Sequence, residues 1–246
     1  MKKLILIFVF NVFLFGDDLA VKYDIKFGIF GKIGEANALL VRDEVNKTYE
    51  VSMDAKAFGM ANRLSGDRRE YFYSKGKIYK DLLVPDVYKH IVERDRKGKR
   101  YTREKTYKFD YYKQKIEYIS TSRYEGEPKK EPSVENLHYF AHNDLLTLFF
   151  NFFKIKTDKE YFSLIAVGAN KEDGRVDIKI PQNRDKMRLQ KALNTDTQPY
   201  IAYINQKIFS SKRGELHLAL DERGYATKAI LKDVVFFGDI VGEISK

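Results

Sequence analysis

Val21-Lys22-Tyr23-Asp24-Ile25-Lys26-Phe27-Gly28-Ile29 carries an apolar side chain at every odd position and a polar residue or glycine at every even one. Successive side chains of extended backbone point to opposite sides, so this period of two predicts a strand with one buried face. The pattern continues at Ile33–Arg42 and at Lys47–Ala57, where Tyr49, Val51, Met53 and Ala55 share a side. Farther out, Arg69–Ser74 and Lys77–Leu82 read as a hairpin across Lys75-Gly76, and Val87–Arg94 and Arg100–Phe109 as another across Lys97-Gly98-Lys99. Lys113–Thr121 follows, then a loop at Gly126–Ser133 holding Pro128 and Pro132. Strand patterns return at Glu160–Val167, Arg175–Ile180, Pro199–Phe209, Glu215–Leu220 and Tyr225–Phe237, punctuated by Asp173-Gly174 and Arg223-Gly224.

A helical period shows clearly once. Asn143 or Asp144 can cap a run in which Leu145, Leu148, Phe149, Phe152 and Phe153 recur at steps of three and four, a face that has to be buried. Lys186–Asn194 is a second helix candidate, with Met187, Leu189 and Leu193 unevenly spaced. Together these predict a mainly β protein: about a dozen strands in one curved antiparallel sheet or half-open β-barrel, covered by one or two helices. No repeat of solenoid length is present.

The chain has 246 residues, of which 43% are hydrophobic and 33% charged, a composition that excludes a disordered or collagen-like chain. It has no cysteine, so disulfides, thiolate metal sites, cysteine nucleophiles and lipidated cysteine are excluded together. Lys2 and Lys3 precede Leu4–Phe15, an apolar run broken only by Asn11, with Asp17 and Asp18 after it. A run this short reads as a secretory leader rather than a span, which takes about 20 residues. The expected arrangement is a signal peptide at 1–16 and a single periplasmic domain at 17–246, with cleavage after Gly16 preferred over Ala20. Losing Lys2 and Lys3 lowers the net charge from +10 to +8.

Several short motifs stand in a recognisable order: Tyr23–Ala36, Ser74-Lys75-Gly76-Lys77, Leu83–Tyr88, and Gly214-Glu215-Leu216-His217-Leu218 ahead of Asp221–Gly224. This order resembles the exported bacterial domain-of-unknown-function family 3108 over most of residues 21–235. The resemblance implies a periplasmic, mainly antiparallel β protein and brings no catalytic residues with it. Residues 183–198 and the polar loop after Arg123 depart from the family pattern.

Catalytic look-alikes have simpler readings. Gly28, Gly31 and Gly34 lack the spacing and the following helix of a nucleotide loop, and read as a bend between strands. Ser74 and Lys77 have the S-x-x-K spacing of penicillin-recognising enzymes, but Gly76 places them in a hairpin turn. His138 and His142 would share a helix face with Glu135 or Asp144 nearby, yet a third nitrogen or thiolate ligand is missing. His90 and His217 read as strand residues without a partner. No metal or other cofactor is expected, and no motif supports an enzyme.

Two features suggest contacts. Glu44-Val45-Asn46-Lys47-Thr48 fits an N-glycosylation acceptor with Asn46 in a hairpin turn. Between Lys89 and Lys130, fourteen basic residues face seven acidic ones, interleaved with tyrosines. In an exported protein the partner is an anionic envelope surface, not nucleic acid, with Arg96, Lys97, Lys99, Arg100 and Arg103 at its centre. The competing reading is that these charges guard exposed strand edges. The expectation is therefore a non-catalytic cell-envelope protein that binds a lipid-like or apolar ligand against Leu145–Phe153, or an envelope glycan or membrane surface peripherally through the basic hairpin. Its rivals are an envelope glycan-processing hydrolase and a structural component of a periplasmic assembly.

Overall fold

The computed structural model describes residues 18–128, 130–155, 157–170, 172–204, 214–234 and 238–245. The expected leader at 1–16 lies outside them, as does the end of the Pro199–Phe209 pattern.

Among the described residues, fifteen strands form a single curved, unclosed sheet in which, with one exception, neighbours in space are neighbours in sequence. The first half is a run of long antiparallel strands: β1 (Leu19–Phe27), β2 (Gly31–Asp43), β3 (Thr48–Ala57), β4 (Arg69–Tyr79), β5 (Leu82–Arg96), β6 (Lys99–Asp110) and β7 (Lys115–Tyr124), ending on the edge strand β8 (Ser133–Asn136). The second half starts at the other edge with β9 (Asn143–Asp144) and passes through β10 (Tyr161–Val167), β11 (Arg175–Lys179), β12 (Tyr200–Tyr203), β13 (Glu215–Leu220) and β14 (Ala226–Val234) to β15 (Gly238–Ile244). The exception is the central join, where β15 pairs with β1. Strand β9 runs parallel to its neighbour, β10. Among the described residues three helices accompany the sheet: α1 (Gly59–Ser65), α2 (Leu145–Asn151) and α3 (Asn183–Leu193).

The inner surface of β2–β7 carries the largest core. Leu40, Val51, Leu83 and Ile116 are almost fully buried there, against Leu146 and Phe150 of α2. Tyr88, Tyr107 and Tyr118 form a row across β5, β6 and β7, with ring centroids 5.6 and 5.0 Å apart. Such pairs add about 0.5–1.5 kcal/mol each beyond the area they bury. A second core joins Leu148 to Ala166, Val176, Ile178 and Ala202, so α2 is the wedge between the two halves.

Several local expectations change. Lys75-Gly76 is no turn: β4 runs through it, with a register shift against β5. A side chain at Gly76 would stand 2.0 Å from the Val84 carbonyl oxygen, so a close backbone approach, not a turn, demands this glycine. The chain reverses at Lys80-Asp81, both at positive φ. The β5–β6 turn lies at Lys97-Gly98 as expected, again with both residues at positive φ, the geometry of a tight two-residue hairpin. Gly28–Phe30 forms a 3-10 bend between β1 and β2, as the glycine spacing suggests. Helix α1 and strand β15 have no counterpart in the sequence reading. The first is too short for a period to emerge, and the second, Gly-Asp-Ile-Val-Gly-Glu-Ile, is interrupted by glycine.

Candidate functional site

A cleft of about 540 Å³ opens on the inner face of β4, β5 and β6. Residues two apart on a strand share a face and repeat about every 6.8 Å, so the lining is a ladder of cross-strand rungs. At the deep end Tyr88 faces Tyr107. The next rung is Phe72, His90 and Lys105, and the one after it Glu70, Val92 and Arg103. Arg94 faces Tyr101 beyond that, and Arg96 stands at the mouth. The cleft therefore grades from an aromatic floor to a cationic mouth.

Its charges are unevenly satisfied. Glu70 accepts from Arg68 at 2.7 Å and shares a 2.7 Å hydrogen bond with His90, whose ring stacks on Phe72 at 4.3 Å. Burial alone would raise the Glu70 pKa, but the His90 bond and the Arg68 charge outweigh it and hold it below the ordinary value. Arg96 lies over the Tyr101 ring at 5.6 Å. Among the described residues, Arg94 and Arg103 have no ion-pair partner. The acids of the hairpin lie on the other face, where Glu104 pairs with Lys89 at 3.6 Å and Glu93 with Arg100 at 3.4 Å. The alternation of the two strands thus sorts charge, placing cation excess inside and balanced pairs outside.

The deep end is closed by Leu145 of α2 and by the loop at Gly168–Asn170. Gly168 sits at φ +94, so close to Tyr88 that a Cβ would come within 2.9 Å of its ring. Tyr139 donates to the Asn170 carbonyl at 3.1 Å, and the Asn170 side chain accepts the backbone N–H of Glu172, Asp173 and Gly174, each at 2.9 Å.

Behind this wall α2 is pinned by polar contacts that hydrophobic spacing does not reveal. Asp144 caps the helix, accepting from Leu146 and Thr147 N–H at 2.8 and 2.9 Å, and it also accepts from Ser74 Oγ on β4 at 2.6 Å. Ser74 in turn hydrogen-bonds Tyr49 at 3.0 Å. Burial pushes the Asp144 pKa up to about 6, against the downward pull of these bonds. Asn151, at the other end of the helix, accepts from Leu83 N–H at 2.9 Å and donates to Leu83 C=O at 2.8 Å, copying a strand's backbone pattern. All three side chains are buried, so Ser74 is a structural strut rather than a serine–lysine nucleophile.

No family model matches the chain, and no curated protein matches it. Among solved structures, it is similar to a β-barrel-like protein of domain of unknown function DUF1849 from Brucella abortus. That likeness has a TM-score of 0.46 at 10% identity and covers 92% of this chain and 95% of that one.

The structure divides the residues suggested by sequence. Leu145 reaches the cleft, whereas Leu148 is buried in the second core, and Phe149 and Phe152 pack against the two cores. Phe153, expected on the buried face, is half exposed because the chain leaves α2 for a 3-10 turn at Phe152–Lys154. Of the basic hairpin, Arg96 and Arg103 line the cleft; Arg100 turns to the outer face, and Lys97 and Lys99 are exposed at or beside the hairpin turn. β5 and β6 are each paired on both sides, so their charges guard no edge. Asn46 is exposed in the β2–β3 turn, its amide donating to Asp43 at 2.6 Å. His138 and His142 precede α2 instead of sharing a helix face, and no cluster of three or more metal-ligating side chains occurs among the described residues. His90 and His217 have partners after all, Glu70 and, at 2.6 Å, Glu215. Arg68, Glu70, Phe72, Arg94 and Lys105 were missed as a site. The parity of charged positions across the Lys97-Gly98 turn was the signal that pointed to two of them, Arg94 and Lys105.

Proposed function

We propose that this chain is a non-catalytic binding protein of the bacterial envelope, exported by its N-terminal leader, whose β4–β6 cleft takes an anionic ligand. The observation that carries this is the pair Arg94 and Arg103, inside a cleft and without an acidic partner among the described residues. Holding like charges together in a partly dry cleft is costly, and an anion offsets that cost. A binding role is supported by the lining itself: of its two acids, the half-buried Glu70 is paired with Arg68 and His90, and Glu172 is exposed to solvent. The lack of a long apolar helix among the described residues is consistent with a protein that does not cross a membrane by a helix.

Native mass spectrometry of the protein isolated from its own host tests this reading. The expected result is a retained anionic species that is lost in Arg94→Glu/Arg103→Glu, with binding that weakens as salt rises from about 0.05 to 0.5 M. Equal retention by the charge-reversed variant refutes it.

A further inference from the structure

The order of the rungs says more than their net charge. A polyanion lying along the cleft would need cations over its whole length. Here they stop one rung short of the inner end: Lys105, then Arg103, then Arg94, then Arg96 at the mouth. The innermost rung is Tyr88 and Tyr107, 1% and 5% exposed, roofed by Leu145 and by the backbone of Gly168. A small hydrophilic anion would leave this inner end unused, and a neutral apolar molecule would leave Arg94 and Arg103 unpaired. A molecule that satisfies both ends has one anionic head and one apolar tail.

Resting on the proposed anion-binding reading, we infer that the cleft's ligand is a single-tailed amphiphile, bound as a monomer with its phosphate or carboxylate between Arg94 and Arg103. Its tail points toward Tyr88, Tyr107 and Leu145. A volume of about 540 Å³ is within the range of small-molecule sites, about 300–1,000 Å³. The mouth lies at the solvent end of the β5–β6 hairpin, so the head keeps contact with water while the tail is sheltered. Whether the head comes from a membrane lipid or from a free fatty acid is a difference of head-group chemistry that the same cleft geometry accommodates.

Calorimetric titration of the full-length mature protein tests this with four probes below their micelle concentrations: lauroyl-lysophosphatidylglycerol, lauric acid, lauroyl-lysophosphatidylcholine and glycerol phosphate. The lauroyl phosphatidylglycerol probe is expected to bind at least about tenfold tighter than glycerol phosphate, since burying two or three methylenes suffices for that factor. It should also bind at least about tenfold tighter than the zwitterionic choline probe, and lose that advantage in Arg94→Glu/Arg103→Glu. The preference between it and lauric acid identifies phosphate or carboxylate as the natural head. Leu145→Gln, which adds no charge to the cleft, should weaken the tailed probes more than glycerol phosphate. Equal affinity for glycerol phosphate and its lauroyl form overturns the tail assignment and leaves an anion site standing. Equal affinity of the lauroyl phosphatidylglycerol probe for the parent and for Arg94→Glu/Arg103→Glu overturns the anion reading itself. Association with phosphatidylglycerol vesicles without uptake of any monomer overturns the inference in favour of surface docking.

Discussion

Asp144 offers a quantitative test of how α2 is held to the sheet. Its carboxyl is fully buried, and its pKa is pushed up from 3.8 to about 6 by desolvation. An acid whose folded pKa lies above its unfolded value binds more protons in the native state between those values. Stability is therefore gained as pH falls through 6 and levels off below 4, the reverse of an ion-paired carboxylate. Between pH 7 and 4.5 the linkage amounts to about 2 kcal/mol. Asp144→Asn keeps an oxygen to cap Leu146 and Thr147 and cannot titrate, so it should remove this gain. Urea unfolding of both proteins at pH 7, 6, 5 and 4.5 reads the difference directly. The variant is expected to lie within about 1 kcal/mol of the parent at pH 7, because ionised Asp144 is itself costly there. It should fall behind by about 2 kcal/mol more at pH 4.5. Subtracting the two curves cancels other carboxylates such as Glu35. That pKa is drawn down to about 2 by hydrogen bonds from Lys56 and Lys22, so its own stabilising contribution is lost only between about pH 4.5 and 2. A stability difference that stays constant from pH 7 to 4.5 refutes the argument.

Other outcomes follow from particular contacts. Asn151→Ala removes the side chain that satisfies both backbone groups of buried Leu83 and should cost about 2–4 kcal/mol in urea unfolding; a loss below about 0.5 kcal/mol contradicts the strand-mimic role. Expressed in a host that glycosylates Glu-x-Asn-x-Thr acceptors, the protein should carry a glycan at Asn46 that disappears in Asn46→Gln. Absence of any mass shift in the parent protein ends that assignment. Mass spectrometry of the secreted form should find an N-terminus near Asp17, whereas a cytosolic protein retaining Met1 defeats the export proposal.

Strands such as β2 and β3 could be read closely from sequence because one of their faces meets the core and the other meets water, which writes the alternation into the residues. Where both faces are mixed, the signal fails: β15 carries Gly238 and Gly242 within seven residues, and its place beside β1 joins two ends of the chain that no local pattern connects. The S-x-x-K spacing pointed to a turn because glycine follows Lys75. The glycine serves instead the approach of Val84, a residue contributed by the next strand. The run Leu145–Phe153 reads as a helix and is one as far as Asn151, but which of its side chains would face a cavity was not legible. Both of its sides are occupied, one by each half of the sheet.

The sequence by itself determined that the chain builds a mainly antiparallel sheet with few helices, no cysteine chemistry and a basic, tyrosine-rich hairpin, since period, composition and turn residues are local properties. Only the tertiary structure decided that Arg94 and Arg103 face inward beside Glu70 and His90, that Asp144 is buried against Ser74, and that the helix gives the cleft Leu145 while Leu146, Leu148 and Phe150 fill the core. Those outcomes depend on curvature and on pairings between distant segments. The desolvation and charge they create belong to the space between strands, not to any one stretch of the chain.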